Sequence, residues 1–176
     1  MDKAGCTPLH CAANNGSVEV SQLLIDHGAS LRATDEEYCT PLHYACMEGH
    51  FSVIKLLLRA GRDKGGDDYV NQMIKDKDRE NQSTLHVAVD SGYLDVVELL
   101  IENGADVNAV RNNLAVPLHL AAISGQLGIA KHLLDHGADI EARNSDHETP
   151  LHKAASFNRF DVASFLISKY VFLTIF

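Results

Sequence analysis

The sequence predicts an all-α fold, a solenoid of stacked helix-turn-helix units. Three observations predict it. The tetrapeptide TPLH occurs at Thr7–His10, Thr40–His43 and Thr149–His152, with degenerate copies at Ser83–His86 and Val116–His119. The first residues of these copies lie 33, 43, 33 and 33 positions apart, a spacing that chance recurrence does not produce. The same period places small pairs just after the motif (Ala12-Ala13, Ala45-Cys46, Ala88-Val89, Ala121-Ala122, Ala154-Ala155) and bulky pairs further on (Leu24-Ile25, Leu57-Leu58, Leu100-Ile101, Leu133-Leu134, Leu166-Ile167).

Each unit reads in the same order. Asp2, Asp35, Asp78, Arg111 and Asn144 stand five positions before the motif and open the five units. Pro8, Pro41, Pro117 and Pro150 suit a first helical turn, where a missing N–H costs nothing, and Thr precedes three of them as an N-cap. The first helix carries small residues that allow close approach of a neighbour. The second carries the bulky face, as in Val20, Leu23, Leu24 and Ile25. Gly28, Gly61, Gly104 and Gly137 are expected to end four second helices in the left-handed conformation. A unit of this length buries too little apolar surface alone, so neighbours must stack into a continuous core.

Taken together, these residues resemble the ankyrin-repeat family, over about residues 2–170. The resemblance implies five repeats, 2–34, 35–77, 78–110, 111–143 and 144–176, with β-hairpin fingers between helix pairs. It also implies partners that meet the hairpin tips and the concave face formed by first helices. The long interval comes from Arg62–Lys77, RDKGGDDYVNQMIKDK, which follows Gly61. Its Gly65-Gly66 pair and mixed charges predict an extended, solvated finger over 62–77 rather than a packed element. Asp63, Asp67, Asp68 and Asp76 match no calcium-loop spacing.

Carried over repeat by repeat, the family's contact positions give an apolar strip of Tyr44, Met47, Val87, Leu120 and Ile123. Glu36, Glu37, Glu48, Glu80 and Asp90 form an acidic rim beside it. Such a face suits a protein or peptide with apolar anchors and nearby Lys or Arg.

Fifteen basic against twenty-four acidic residues give a net charge of −9, which disfavours nucleic acid as a partner. No apolar run is long enough to span a bilayer, so direct membrane insertion is not expected. Cys6, Cys11, Cys39 and Cys46 all lie in the first quarter without a CxxC pair, and read as reduced thiols of a cytoplasmic, monomeric protein. Five of the ten histidines occupy the motif position, and no catalytic motif is present. His132 and His147 stand outside the register. Neither enzyme chemistry, a metal nor a cofactor is expected.

The stretch LIENGADVNAV resembles the substrate pattern of an asparaginyl hydroxylase that acts on ankyrin hairpins, which makes Asn108 a candidate modification site. The fifth repeat carries Tyr170 in place of the closing glycine and reaches VFLTIF, an apolar, β-prone hexapeptide that either extends the last helix as an atypical cap or marks a chain end. A weaker resemblance, through CTPLHYAC and the interrupted repeat, is to the cytosolic ankyrin arms of A-type transient receptor potential channels. It implies the alternative of a fragment of a larger membrane protein.

Overall fold

The structure, a computed structural model, describes residues 5–175, with side chains described for 5–170. It divides into two compact units, one ending at Asp106 and the other starting at Val107. The first unit holds α1 (Pro8–Asn14), α2 (Val18–Asp26), α3 (Pro41–Met47), α4 (Phe51–Lys75), α5 (Thr84–Ser91) and α6 (Leu94–Glu102). Here α1, α3 and α5 pack in a row, each also against the helix that follows it, while α4 touches both α2 and α6. The second unit holds α7 (Pro117–Ser124), α8 (Leu127–Asp135), α9 (Pro150–Ser156) and α10 (Phe160–Ile175). There α7 packs on α8 and α9, and α10 on α8 and α9.

The repeated residues build these helices as their chemistry requires. Thr7, Thr40, Ser83, Val116 and Thr149 hold extended backbone before the first helical turn, and proline fills the next position in all but α5. The motif leucines Leu9, Leu42, Leu85 and Leu118 are fully buried, as are Leu57, Leu100, Leu133 and Leu166 on the second helices. Each such side chain contributes about 1.5–3 kcal/mol by leaving water.

The expected β-hairpin fingers are not formed: the described residues contain no strand, and the only β pairing among them is an isolated bridge between Lys77 and Ser83. Tight turns stand in their place. The Asp35 N–H donates to the Cys39 carbonyl at 3.1 Å, and Asp78 with Gln82, Arg111 with Ala115 and Asn144 with Glu148 repeat the bond. The Asp35 carboxylate accepts the N–H groups of Glu37 and Cys39 at 2.9 and 2.8 Å, and Asn144 does the same for Asp146 and Glu148. Side-chain acceptors thus take the donors that a strand ladder would use.

These turns need one left-handed residue, and it falls two positions before the motif each time. Gly5, Tyr38, Asn81, Leu114 and His147 have φ of 77°, 60°, 60°, 57° and 59°. Leucine is a poor occupant of that region, and Leu114 is exposed, so its side chain returns little. Leu114→Gly is therefore expected to raise stability by about 1 kcal/mol, read as a higher urea midpoint. A lower midpoint would show that the Leu114 side chain holds the turn.

The largest departure from expectation lies at 62–77, where a packed helix replaces the solvated finger. α4 runs through Gly61 without a left-handed stop and bends at Gly65-Gly66, where Gly66 has φ 69° and ψ −163°. Asp67 and Asp68 begin the distal half, where carboxylates favour a helix start. Val70, Met73 and Ile74 are buried, the spacing of one helical face. Gly61 is present because Met73 needs the room: a Cβ there would lie 2.6 Å from the Met73 sulfur. On the polar side Arg32 binds both Asp76 oxygens at 2.7 and 2.5 Å and Gln72 at 2.7 Å. Its guanidinium also sits 6.0 Å from the centre of the Tyr69 ring.

At the other end of the chain, the backbone of α10 is helical through Ile175. The side chains of VFLTIF, and with them its expected surface character, lie outside the described residues.

Candidate functional site

The motif histidines look like chemistry in the sequence and are structural in the fold. The Thr40 N–H donates to His43 Nδ1 at 3.2 Å, with the Thr40 hydroxyl 2.9 Å from the same nitrogen. The same pair of contacts recurs at His10, His86 and His152, and His119 takes the N–H of Val116. Because Nδ1 accepts from a backbone N–H it holds no proton, so the proton resides on Nε2. Nε2 then donates to the carbonyl before the next motif: His10 to Cys39 at 3.0 Å, His43 to Gln82 at 3.4 Å, His119 to Glu148 at 3.0 Å. Each of these three rings caps its own helix and ties it to the next repeat. Both nitrogens are committed.

Burial lowers the pKa of His43 and His119 below the ordinary histidine value, against the opposing pull of the carbonyls of Gln82 and Glu148. The consequence for stability has a definite sign. Above the unfolded-chain pKa of about 6.5 both states are neutral and the contribution is complete. As the pH falls below that value the unfolded chain takes up protons that the folded rings refuse, and stability falls. The slope approaches about 1.4 kcal/mol per pH unit for each ring. The urea midpoint should therefore drop between pH 7.5 and 5.5, and less steeply in His119→Gln. A midpoint that rises over this range would contradict the neutral tautomers.

Two of the four thiols are equally quiet. Cys46 is fully buried, and Cys39 is pushed up to about 12 by burial, with the Asp35 charge adding to it. Among the described residues no group of three or more His, Cys, Asp or Glu could hold a metal ion. His132 lies against His136, ring centres 4.2 Å apart, and His147 serves as a left-handed turn residue.

The predicted partner residues separate into three kinds. Met47 is 42% exposed at the end of α3, beside exposed Glu48, and Glu36, Glu37, Glu80 and Asp90 are exposed in the first unit. Tyr44 is half-buried, its hydroxyl donating to the Asp35 carboxylate at 2.8 Å and lying 3.5 Å from the Cys6 sulfur. Those two partners and burial push its pKa up. Val87 and Leu120, at 7% and 2% exposure, lie in the core and offer little surface to a partner. The position after the motif histidine is inward-leaning: an aliphatic chain there stays in the core, while Tyr44 and Lys153 reach out with polar tips. Ile123, in the second unit, is partly exposed.

Arg79 orders the turn tips of the first unit, a role that its place in the sequence does not reveal. It binds the Glu37 carboxylate and the Glu36 carbonyl at 3.0 and 2.7 Å, so Glu37 presents a neutralised pair rather than a bare charge. Asn108 engages both ends of its amide, donating to the Gly137 carbonyl at 3.0 Å and accepting the Asp139 N–H at 2.8 Å.

Among the described residues no helix is long and apolar enough to cross a membrane. A family model described as Ankyrin repeats (3 copies) matches residues 1–68. A second, Ankyrin repeats (many copies), matches 85–134 and 118–167. No curated protein matches the chain at a significant level. The capped helix pairs, the histidine ties and these matches agree: the chain belongs to the ankyrin-repeat family, whose members are generally protein-interaction modules and typically non-catalytic.

Proposed function

We propose that this chain is a protein-binding module that takes a protein or peptide on the first helices and adjoining turns of its first unit. The observation that carries the reading is Met47, a large apolar side chain left open to water next to Glu48 on α3. Asp90 on the neighbouring α5 and Glu36 and Glu80 on the turns add negative charge to the same surface. An apolar group within an acidic surround selects a partner with an apolar anchor flanked by Lys or Arg. The four cysteines, which form no disulfide, fit a reducing, cytoplasmic setting.

The test is affinity capture with the whole chain and with Met47→Asp/Glu48→Lys. Partners of this face should lose at least about tenfold in affinity. Tyr44→Asp is a poor probe, because a second carboxylate would be forced against Asp35. A set of partners held equally by both proteins would remove the reading. Modification of Asn108 by an asparaginyl hydroxylase belongs to the same proposal, and unchanged Asn108 mass after treatment with that enzyme would remove it.

A further inference from the structure

The outer helices of the first unit carry a groove of opposite character. It has a volume of about 670 Å³ and runs between α2, α4 and α6. Val18, Leu56, Leu58 and Leu99 give it an apolar lining. Lys55, Arg59 and Arg62 line it from α4, at spacings of four and three residues that bring them onto one helix face. Glu19 is the one carboxylate in the lining. A positive stripe on a chain of net charge −9 runs against the general balance.

Little of that charge is neutralised internally. Arg59 bonds the neutral amide of Gln22 at 2.9 Å, and Lys55 lies 5.5 Å from the centre of the Phe51 ring. Neither is in a salt bridge among the described residues. Arg62 shares its guanidinium between Asn103 and an exposed Asp67. A second depression of about 390 Å³ continues from the groove through Gln22, Leu56 and Arg59, and there Asp26 and Asp63 stand with Lys64. The charge on the groove therefore changes along its length, basic at one end and mixed at the other.

We infer that this groove is a second binding site, for an acidic peptide segment of a partner protein whose apolar side chain fills the leucine-lined floor. Charge complementarity argues for that occupant: guanidinium groups bind carboxylates by charge-assisted, often bidentate hydrogen bonds, and the lined volume is in the range that holds an apolar anchor. The mixed end sets the direction, with the carboxylates of the segment over Lys55, Arg59 and Arg62. The inference is independent of the Met47 face, which selects the opposite charge, so the two sites bind different segments.

The experiment is selection from a random-sequence peptide display library on the whole chain, followed by anisotropy titration of the enriched peptides. Enriched peptides should carry Asp or Glu beside Leu, Ile or Phe and bind more weakly as salt rises. They should lose about tenfold or more in affinity to Lys55→Glu/Arg59→Glu and remain unaffected by Met47→Asp/Glu48→Lys. The milder Lys55→Gln/Arg59→Gln should lose less, and it carries the test if charge reversal disturbs folding. No enrichment overturns the inference, as do peptides without acidic residues, peptides indifferent to both groove variants, or peptides that respond to the Met47 variant instead. Binding of anionic lipid vesicles in preference to every acidic peptide would also overturn it.

Discussion

Replacing Met73 by alanine is expected to lower the unfolding free energy by about 3 kcal/mol, although the residue lies in a segment that composition reads as a loop. Met73 is 1% exposed and reaches the space that Gly61 leaves open. Removing it empties a site whose walls are Gly61 and the buried face shared with Val70 and Ile74. Rigid helix backbone limits how far that site can collapse, so the lost transfer energy and the cavity add. A solvated finger would answer the same substitution with less than about 0.5 kcal/mol. Urea unfolding followed by far-UV circular dichroism separates the two outcomes. Arg32→Ala, which removes the polar staple to Asp76 and Gln72, should act in the same direction and by less, because its ion pair is partly solvated.

A second large effect is expected at His43. In His43→Ala the Thr40 N–H loses its acceptor and the Gln82 carbonyl one of its two donors, both beside a fully buried ring position. The combined loss of cap, hydrogen bond and packing is about 3 kcal/mol. His152 provides the internal control. It makes the same contacts to Thr149, but its ring is exposed, so His152→Ala should cost about 1 kcal/mol, the value of a helix cap alone. Equal losses at the two positions would mean that the motif histidine only caps its helix and contributes nothing between repeats.

The helix pairs were legible because the information is written locally and repeated. A proline at the first helical position, a Thr before it and a histidine three residues after the Thr specify one turn of backbone, whatever surrounds it. The inserted segment was misread because Gly65-Gly66 outweighed a signal that was present. Val70, Met73 and Ile74 already show helical spacing, and the glycines mark a bend inside the helix rather than its absence. Gly61 was read as a stop for the same reason, since a glycine required by close approach and one required by positive φ are identical in sequence. The candidate site was half legible. Directly after the motif histidine Tyr44 reaches the surface with its polar tip while Val87 and Leu120 stay buried, and Met47 is exposed one turn further on, at the end of α3. The basic stripe of α4 was available from its four-and-three spacing, but its groove depends on α2 and α6, which only the fold brings alongside.

The central functional claim concerns which surface a protein partner touches, and site-specific photo-crosslinking reads that directly. A photoreactive phenylalanine analogue at Met47 and another at Glu102, exposed at the end of α6, give two otherwise matched proteins. A partner captured by the wild-type chain should become covalently attached through position 47 and not through position 102. Attachment through position 102 alone, with none at 47, would contradict the account.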